Sequence, residues 1–374
     1  MAKSNRRGTL HRGTQPVELL ESRRLLTATL PTFTQTNLVS DGATAAAVTD
    51  ANLVNPWGLA FNPTNGNVWV ADNGKGVSTI YSPAGAPNPL VVTIPGPGGG
   101  SSAPTGTVTH RGAGFDVTAA GASAPSQFIF ATEDGTVSGW NPADGSTAVL
   151  MVDDSTSGAV FKGIATAGSG KGAHLFVTDF HNNRVDVFDS QFHDVTAAGT
   201  FSDTGIPAGF APFGIQNLHN KIYVTYAKQN DIAHDDVAGP GNGFVDIFTT
   251  KGKLIRRFAS NGNLNSPWAV AQGTGRLSND ILVGDFGDGR INIFDARGND
   301  LGTVNDSTGT PIVIDGLWGL LPGQGPQRQS IYFAAGTNSE ADGLFGTLTL
   351  NPKAKTIGRS PTPSVIPPVI LPMY

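Results

Sequence analysis

Six copies of one pattern constrain what this chain can fold into. Each copy opens on an apolar segment centred on a small residue, continues into a run that often ends in Ala-Asp or Thr-Asp, turns, and ends on an aromatic residue. The copies read NPWGLAF with NVWVADNGKGVSTIY (Asn55 to Tyr81), GAGFDV with QFIFATEDGTVSGW (Gly112 to Trp140), and FKGIAT with HLFVTDFHNNRVDVF (Phe161 to Phe188). The remaining three are PFGIQ with KIYVTYAK and a delayed GFVDIF, SPWAVA with DILVGDFGDGRINIF, and LWGLL with SIYFAAG and LFGTLTL. The anchors Gly58, Gly114, Gly163, Gly214, Ala269 and Gly319 lie 56, 49, 51, 55 and 50 residues apart. That period is the length of a four-stranded blade.

Six anchors predict an all-β, six-bladed β-propeller. The 49 Gly, 25 Pro and only 14% charged residues agree with short strands and many turns. Each copy supplies an inner, a middle and a third strand, and PLVVTI (89–94), TAVLMV (147–152) and KLIRRF (253–258) read as fourth strands. Copy six lacks a fourth strand, whereas PTFTQTNLV (31–39) stands unused ahead of copy one. The N-terminal strand is therefore expected to close the ring as the outer edge of the last blade, removing an exposed sheet edge. The expected division is a leader over 1–30, a propeller over 31–352 and a Pro-rich tail over 353–374.

Charge and composition exclude several function classes. Residues 1–30 carry six cationic against two anionic side chains, so with a total of −5 the remainder carries −9. An acidic body without a Lys/Arg stripe argues against nucleic acid as partner. With no Cys, disulfides, thiolate metal sites and Cys nucleophiles are excluded. No apolar stretch reaches the length of a membrane span. The end VIPPVILPMY is short and broken by proline, and reads as an extended tail.

Most conspicuous side chains read as structural. Asp72, Asp179 and Asp285 end the middle run in three copies, nine residues before an aromatic, where they can accept hydrogen bonds from the turn amides that follow. Trp57, Trp268 and Trp318 occupy equivalent anchor positions and read as packing between blades. GSGKG (168–172) lacks the Ser or Thr of a phosphate loop and joins two strands, so it reads as a hairpin loop. No metalloprotease, nucleophile-elbow or EF-hand signature is present, and the catalytic residues stay unknown.

One segment departs from the repeat. In copy four the second turn expands into AKQNDIAHDDVAGPGNG (227–243), which brings Asp231, His234, Asp235 and Asp236 within six residues. These four are the candidate metal ligands: their oxygens suit calcium, the histidine admits a transition metal, and the alternative is a solvated loop. The glycines and Pro240 predict a loop folded back on itself at one mouth of the ring.

The segments NLVSDGATAAAVTDANLVNPWGLAF (37–61), FATEDGTVSGWNP (130–142), HDDVAGPGNGFVDIF (234–248) and LVGDFGDGRINIFDARG (282–298) resemble a family of exported bacterial propellers. Many of its members carry a PEP-type C-terminal sorting anchor, whose helix and basic terminus are not seen here. VELLESRRLLTA (17–28) resembles the leader of extracellular planctomycete proteins, which implies a secreted or cell-surface location; the alternative is an amphipathic helix from Pro16 to Leu26. More distantly the blades resemble NHL repeats and gluconolactonase-like propellers. The first functional expectation is a monomeric binding or scaffold module whose partner is a protein, a carbohydrate or a small molecule. The alternative is a calcium-dependent lactonase-like hydrolase, for which Glu133, Asp116 and Asn217 are residues of the required type.

Overall fold

The computed structural model describes residues 30–119 and 121–352; the leader through residue 29 and the tail from 353 lie outside them. The chain enters through β1 (Phe33–Ser40) and a short β2 (Val48–Thr49). Blade one is β3 (Pro56–Phe61), β4 (Val68–Asp72), β5 (Val77–Tyr81) and β6 (Val92–Thr93). Blade two begins with β7 (Pro104–Thr109), diverts into a hairpin of β8 (Asp116–Ala119) and β9 (Ala122–Pro125), and resumes with β10 (Phe128–Thr132), β11 (Thr136–Trp140) and β12 (Val149–Asp153). Blade three has three strands: β13 (Phe161–Ala167), β14 (His174–Asp179) and β15 (Arg184–Phe188).

Blade four is β16 (Phe210–Leu218), β17 (Lys221–Lys228), β18 (Gly243–Thr249) and β19 (Leu254–Ser260). Blade five is β20 (Pro267–Gln272), β21 (Ile281–Asp285), β22 (Ile291–Phe294) and β23 (Asp300–Thr303). Blade six joins β24 (Leu317–Pro322), β25 (Ser330–Ala335) and β26 (Leu344–Leu350) to β1. The six-bladed propeller and its closure are as the repeats require. Strand β1 runs antiparallel to β26, with Phe33 opposite Leu350 and Ser40 opposite Leu344. Phe33 and Val39 are fully buried there, so the closing strand contributes core as well as ladder.

The anchor of blade two is corrected. The inner strand is Pro104–Thr109 and its anchor is Gly106, whereas GAGFDV leads into the β8–β9 hairpin. The Gly-Pro-rich stretch before Pro104 hid the true strand, and the inserted hairpin offered a second Gly-centred segment in its place. A Cβ on Gly58 would meet the backbone of Gly106 and Thr107, one on Gly106 would meet Ile164, and one on Gly319 would strike the Trp57 carbonyl. Five of the six anchors are glycine and the sixth is Ala269, because six inner strands converge on one axis.

The apolar core lies between blades. Trp69, Phe128, Phe130 and Trp140 fill the space between blades one and two, and Tyr81, Tyr332 and Phe345 join blade six to blade one. The strand-end aspartates differ from expectation in their partners. Asp179 does accept from the turn amide of Asn182, at 3.2 Å, but Asp72 accepts from the Thr79 amide and Asp285 from the Asn292 side chain, both on the third strand. Their carboxyls turn into the sheet, where burial pushes Asp72 and Asp285 well above the usual carboxylate range. Among the described residues no helix is long and apolar enough to cross a membrane.

Candidate functional site

Every inner strand begins at the same end of the ring, and one residue stands there immediately before each anchor. These six are Trp57, Thr105, Lys162, Phe213, Trp268 and Trp318. Trp57 and Trp318 stack with ring centroids 3.5 Å apart, Trp268 stands edge-on to both at 6.1 and 5.8 Å, and Phe286 stacks on Trp318 at 3.9 Å. The three tryptophans thus pack across the axis and close this mouth. Trp268 Nε1 donates to the Lys162 carbonyl at 2.8 Å, and Trp318 Nε1 to Asn55 Oδ1 at 3.1 Å.

Lys162 is the exception in this ring. Its ammonium pairs with Glu133 and, at 3.3 Å, with Asp235 Oδ1, and it lies 5.4 Å from the Trp57 ring centre and 6.0 Å from that of Phe180. The lysine side chain is 3% exposed and that of Glu133 14%. Asn73 Nδ2 donates to Glu133 Oε2 at 2.8 Å, and Asn55 Nδ2 to Glu340 Oε1 at 3.0 Å. Asn55 leads into β3, Asn73 follows β4 and Glu133 follows β10, while Glu340 sits on the β25–β26 turn. The cluster therefore exists only when blades one, two, three, four and six are assembled.

The copy-four insertion folds back onto this mouth. Asn230 N donates to the Asp235 carbonyl at 2.8 Å, Val237 N to the Lys228 carbonyl at 2.7 Å and Gly239 N to Asn265 Oδ1 at 2.6 Å. His234 Nδ1 lies 2.8 Å from Asp235 Oδ1. Of the four predicted ligands, His234 and Asp235 join Glu133, with ligand atoms within 4.8 Å of one another. Asp231 is exposed and Asp236 stands outside that group. Burial opposes the charge on Asp235, but Lys162 and His234 outweigh it and hold the carboxyl below its usual range. Burial pushes Glu340 and Asp236 upward.

The donor set, as arranged, does not fit calcium. Glu133 Oε1 and Asp235 Oδ1 face the Lys162 ammonium and Glu133 Oε2 takes the Asn73 amide, whereas calcium takes six to eight oxygens. Nor are Glu133, Asp116 and Asn217 brought together. Asp116 is exposed on β8, where its charge acts on His110, and Asn217 lies three residues beyond the anchor Gly214, donating to the Thr166 carbonyl at 2.8 Å. Sequence reading missed Lys162, Asn55, Asn73 and Glu340. Lys162 had a signal, since it stands where other copies place Trp, Phe or Thr.

This chain is 33% identical over 324 residues to uncharacterized protein R648 of Acanthamoeba polyphaga mimivirus, covering 83% of the chain and 78% of that protein. It belongs to the same family. Uncharacterized protein L690 of the same virus is 32% identical over 321 residues, 83% of this chain and 84% of its own. The NHL repeat family matches residues 53–76.

Among solved structures, a protein of unknown function from Bacteroides thetaiotaomicron is 12% identical with a TM-score of 0.55, over 85% of this chain and 76% of its own. The soluble aldose sugar dehydrogenase of Escherichia coli is 14% identical with a TM-score of 0.52, over 86% of this chain and 100% of its own. A gluconolactonase from Xanthomonas campestris is also 14% identical, with a TM-score of 0.50, over 80% and 87%. At these identities the likeness is one of fold.

Proposed function

We propose that this propeller is an exported or cell-surface binding module that takes a polyhydroxylated ligand, such as a carbohydrate, at the mouth built around Lys162. The observation that carries the reading is the buried ion pair of Lys162 with Glu133 in a ring of otherwise apolar or small residues. Well-packed apolar side chains in place of both partners would be as stable or more so, which supports a role for the charge other than folding. Carboxylates and carboxamides offer acceptors and donors to hydroxyls, and the half-buried Trp268 and Phe286 offer apolar faces. The export part of the reading rests on the leader, and a reporter fused to residues 1–30 that stays cytoplasmic in a planctomycete host removes it.

Three of the five tryptophans line this mouth, so intrinsic fluorescence reports on it. A sugar panel is expected to yield ligands that shift the emission and raise the melting temperature of the wild type but not of Lys162→Met. Ligands that act equally on both proteins would contradict the site.

The second reading is a cation-dependent, lactonase-like hydrolase, favoured by the convergence of Glu133, His234 and Asp235. It requires Lys162 to leave the carboxylates. Calcium should then raise the melting temperature and support lactone hydrolysis in the wild type, and Asp235→Ala with Asp236→Ala should abolish both. A wild type indifferent to calcium leaves the binding reading alone.

A further inference from the structure

The opposite end of the channel is open. Beyond the tryptophans the bore is narrow, about 40 Å³ between Gly58, Gly106, Ile164, Ile215, Val270 and Leu320. It then widens into a cavity of about 370 Å³ whose walls include Leu59, Ile164 and Leu321, with Thr107, Asn217 and Arg111 as polar members. This volume lies in the range of small-molecule sites.

Three polar groups here lack the partners such groups normally find. Thr107 is 6% exposed, borders both the narrow and the wide section, and its Oγ1 makes no hydrogen bond within the protein. Asn217 spends its Nδ2 on the Thr166 carbonyl, which leaves Oδ1 as a buried acceptor with no donor. Arg111 is exposed at the rim, and the ion pairs among the described residues involve Lys162, Arg184, Arg257, Arg290, His193 and His234 but not Arg111. Buried polar atoms without partners are costly, and a ligand that supplies them is correspondingly favoured.

We propose that this mouth is a second binding site, for a small monocarboxylate that carries a hydroxyl and an apolar body. The carboxylate pairs with the Arg111 guanidinium, which presents a fork matched to it. The hydroxyl donates to Asn217 Oδ1 and accepts from Thr107 Oγ1 once these side chains, whose polar atoms are buried in the empty cavity's wall, turn toward it. The apolar body lies along Leu59, Ile164 and Leu321. A dianionic phosphate fits less well, because Arg111 is the one cation among the residues lining the cavity.

Calorimetric titration of the full chain with 2-hydroxy-4-methylpentanoate tests the site. The controls are its amide, which lacks the charge, 4-methylpentanoate, which lacks the hydroxyl, and inorganic phosphate. The hydroxyacid should bind saturably to the wild type. Arg111→Gln, on the surface, should weaken it about tenfold, the scale of one charge-assisted pair, without altering affinity for the amide. Thr107→Val, which keeps the shape, should weaken the hydroxyacid about fivefold and leave 4-methylpentanoate unchanged. Lys162→Met should bind all of them as the wild type does, so the outcome is independent of the first mouth. No saturation below about 10 mM, or an unchanged hydroxyacid affinity in either Arg111→Gln or Thr107→Val, would overturn the proposal.

Discussion

The two mouths of this channel are built by opposite means. At one, charge is buried and paired: Lys162 with Glu133 and Asp235, over stacked tryptophans that close the bore. At the other, Thr107 and Asn217 bury atoms without partners in the wall of an open cavity. Each mouth also carries one departure from the repeat. The blade-four loop folds onto the closed end, and the blade-two hairpin β8–β9 follows the inner strand toward the open end. A propeller scaffold is indifferent to which loop is lengthened, so insertions mark where a sixfold ring has been given unequal faces.

The comparison breaks most completely if the ring opens. Deleting residues 31–40 removes β1 with buried Phe33 and Val39, and unfolding free energy should fall by more than about 3 to 5 kcal/mol, the scale of one buried Phe. Ligand responses at both mouths should vanish together. A truncated chain that melts like the full one would mean that β1 is not the closing strand.

Next in size is a lesion confined to the closed mouth. Glu133→Ala strands the Lys162 ammonium with only the more exposed Asp235, and should cost about 3 kcal/mol in denaturant titration. Arg111→Gln, at the open mouth, should cost less than about 0.5 kcal/mol. Equal losses would erase the distinction between a paired mouth and an unpaired one.

The mouths should also answer pH in opposite senses. Burial raises Glu340 in the folded state, so the native protein holds more protons than the unfolded one above about pH 4, and stability relative to Glu340→Gln should fall as pH rises from there. Burial lowers His110, beside the open mouth, so the unfolded state binds more protons below about pH 6.5. Stability relative to His110→Gln should therefore fall as pH drops through that window. Melting curves of both variants against the wild type between pH 4 and 8 check both signs. The smallest expected effect is that of Asp231→Ala, on an exposed loop position, within about 0.5 kcal/mol of the wild type.

Much of the fold was legible because a blade leaves local marks: a small residue where inner strands crowd the axis, and aromatics where blades pack. Blade two misled because GAGF imitates an anchor inside an inserted hairpin. Blade three kept only three strands, its outer lane touched by a turn through Val195 N to the Val187 carbonyl. The site was less legible. Asn55 and Glu340 are 285 positions apart yet share a hydrogen bond, and no local pattern announces a contact made by closing a ring. The insertion yielded His234 and Asp235, and Glu133 was named for its chemistry alone. Their common partner, Lys162, becomes visible only when the copies are laid over one another and one position is found to differ.

Lys162 is held for what it binds and not for the stability of the ring. Denaturant unfolding of the double variant Lys162→Met with Glu133→Leu measures this directly. The double variant should equal the wild type or exceed it by about 1 to 4 kcal/mol, because apolar side chains replace both buried charges at once beside Trp57 and Phe180, whereas Lys162→Met alone strands the Glu133 carboxylate. A loss of about 3 kcal/mol or more would show that the ion pair is a structural requirement of the propeller, and would contradict the account.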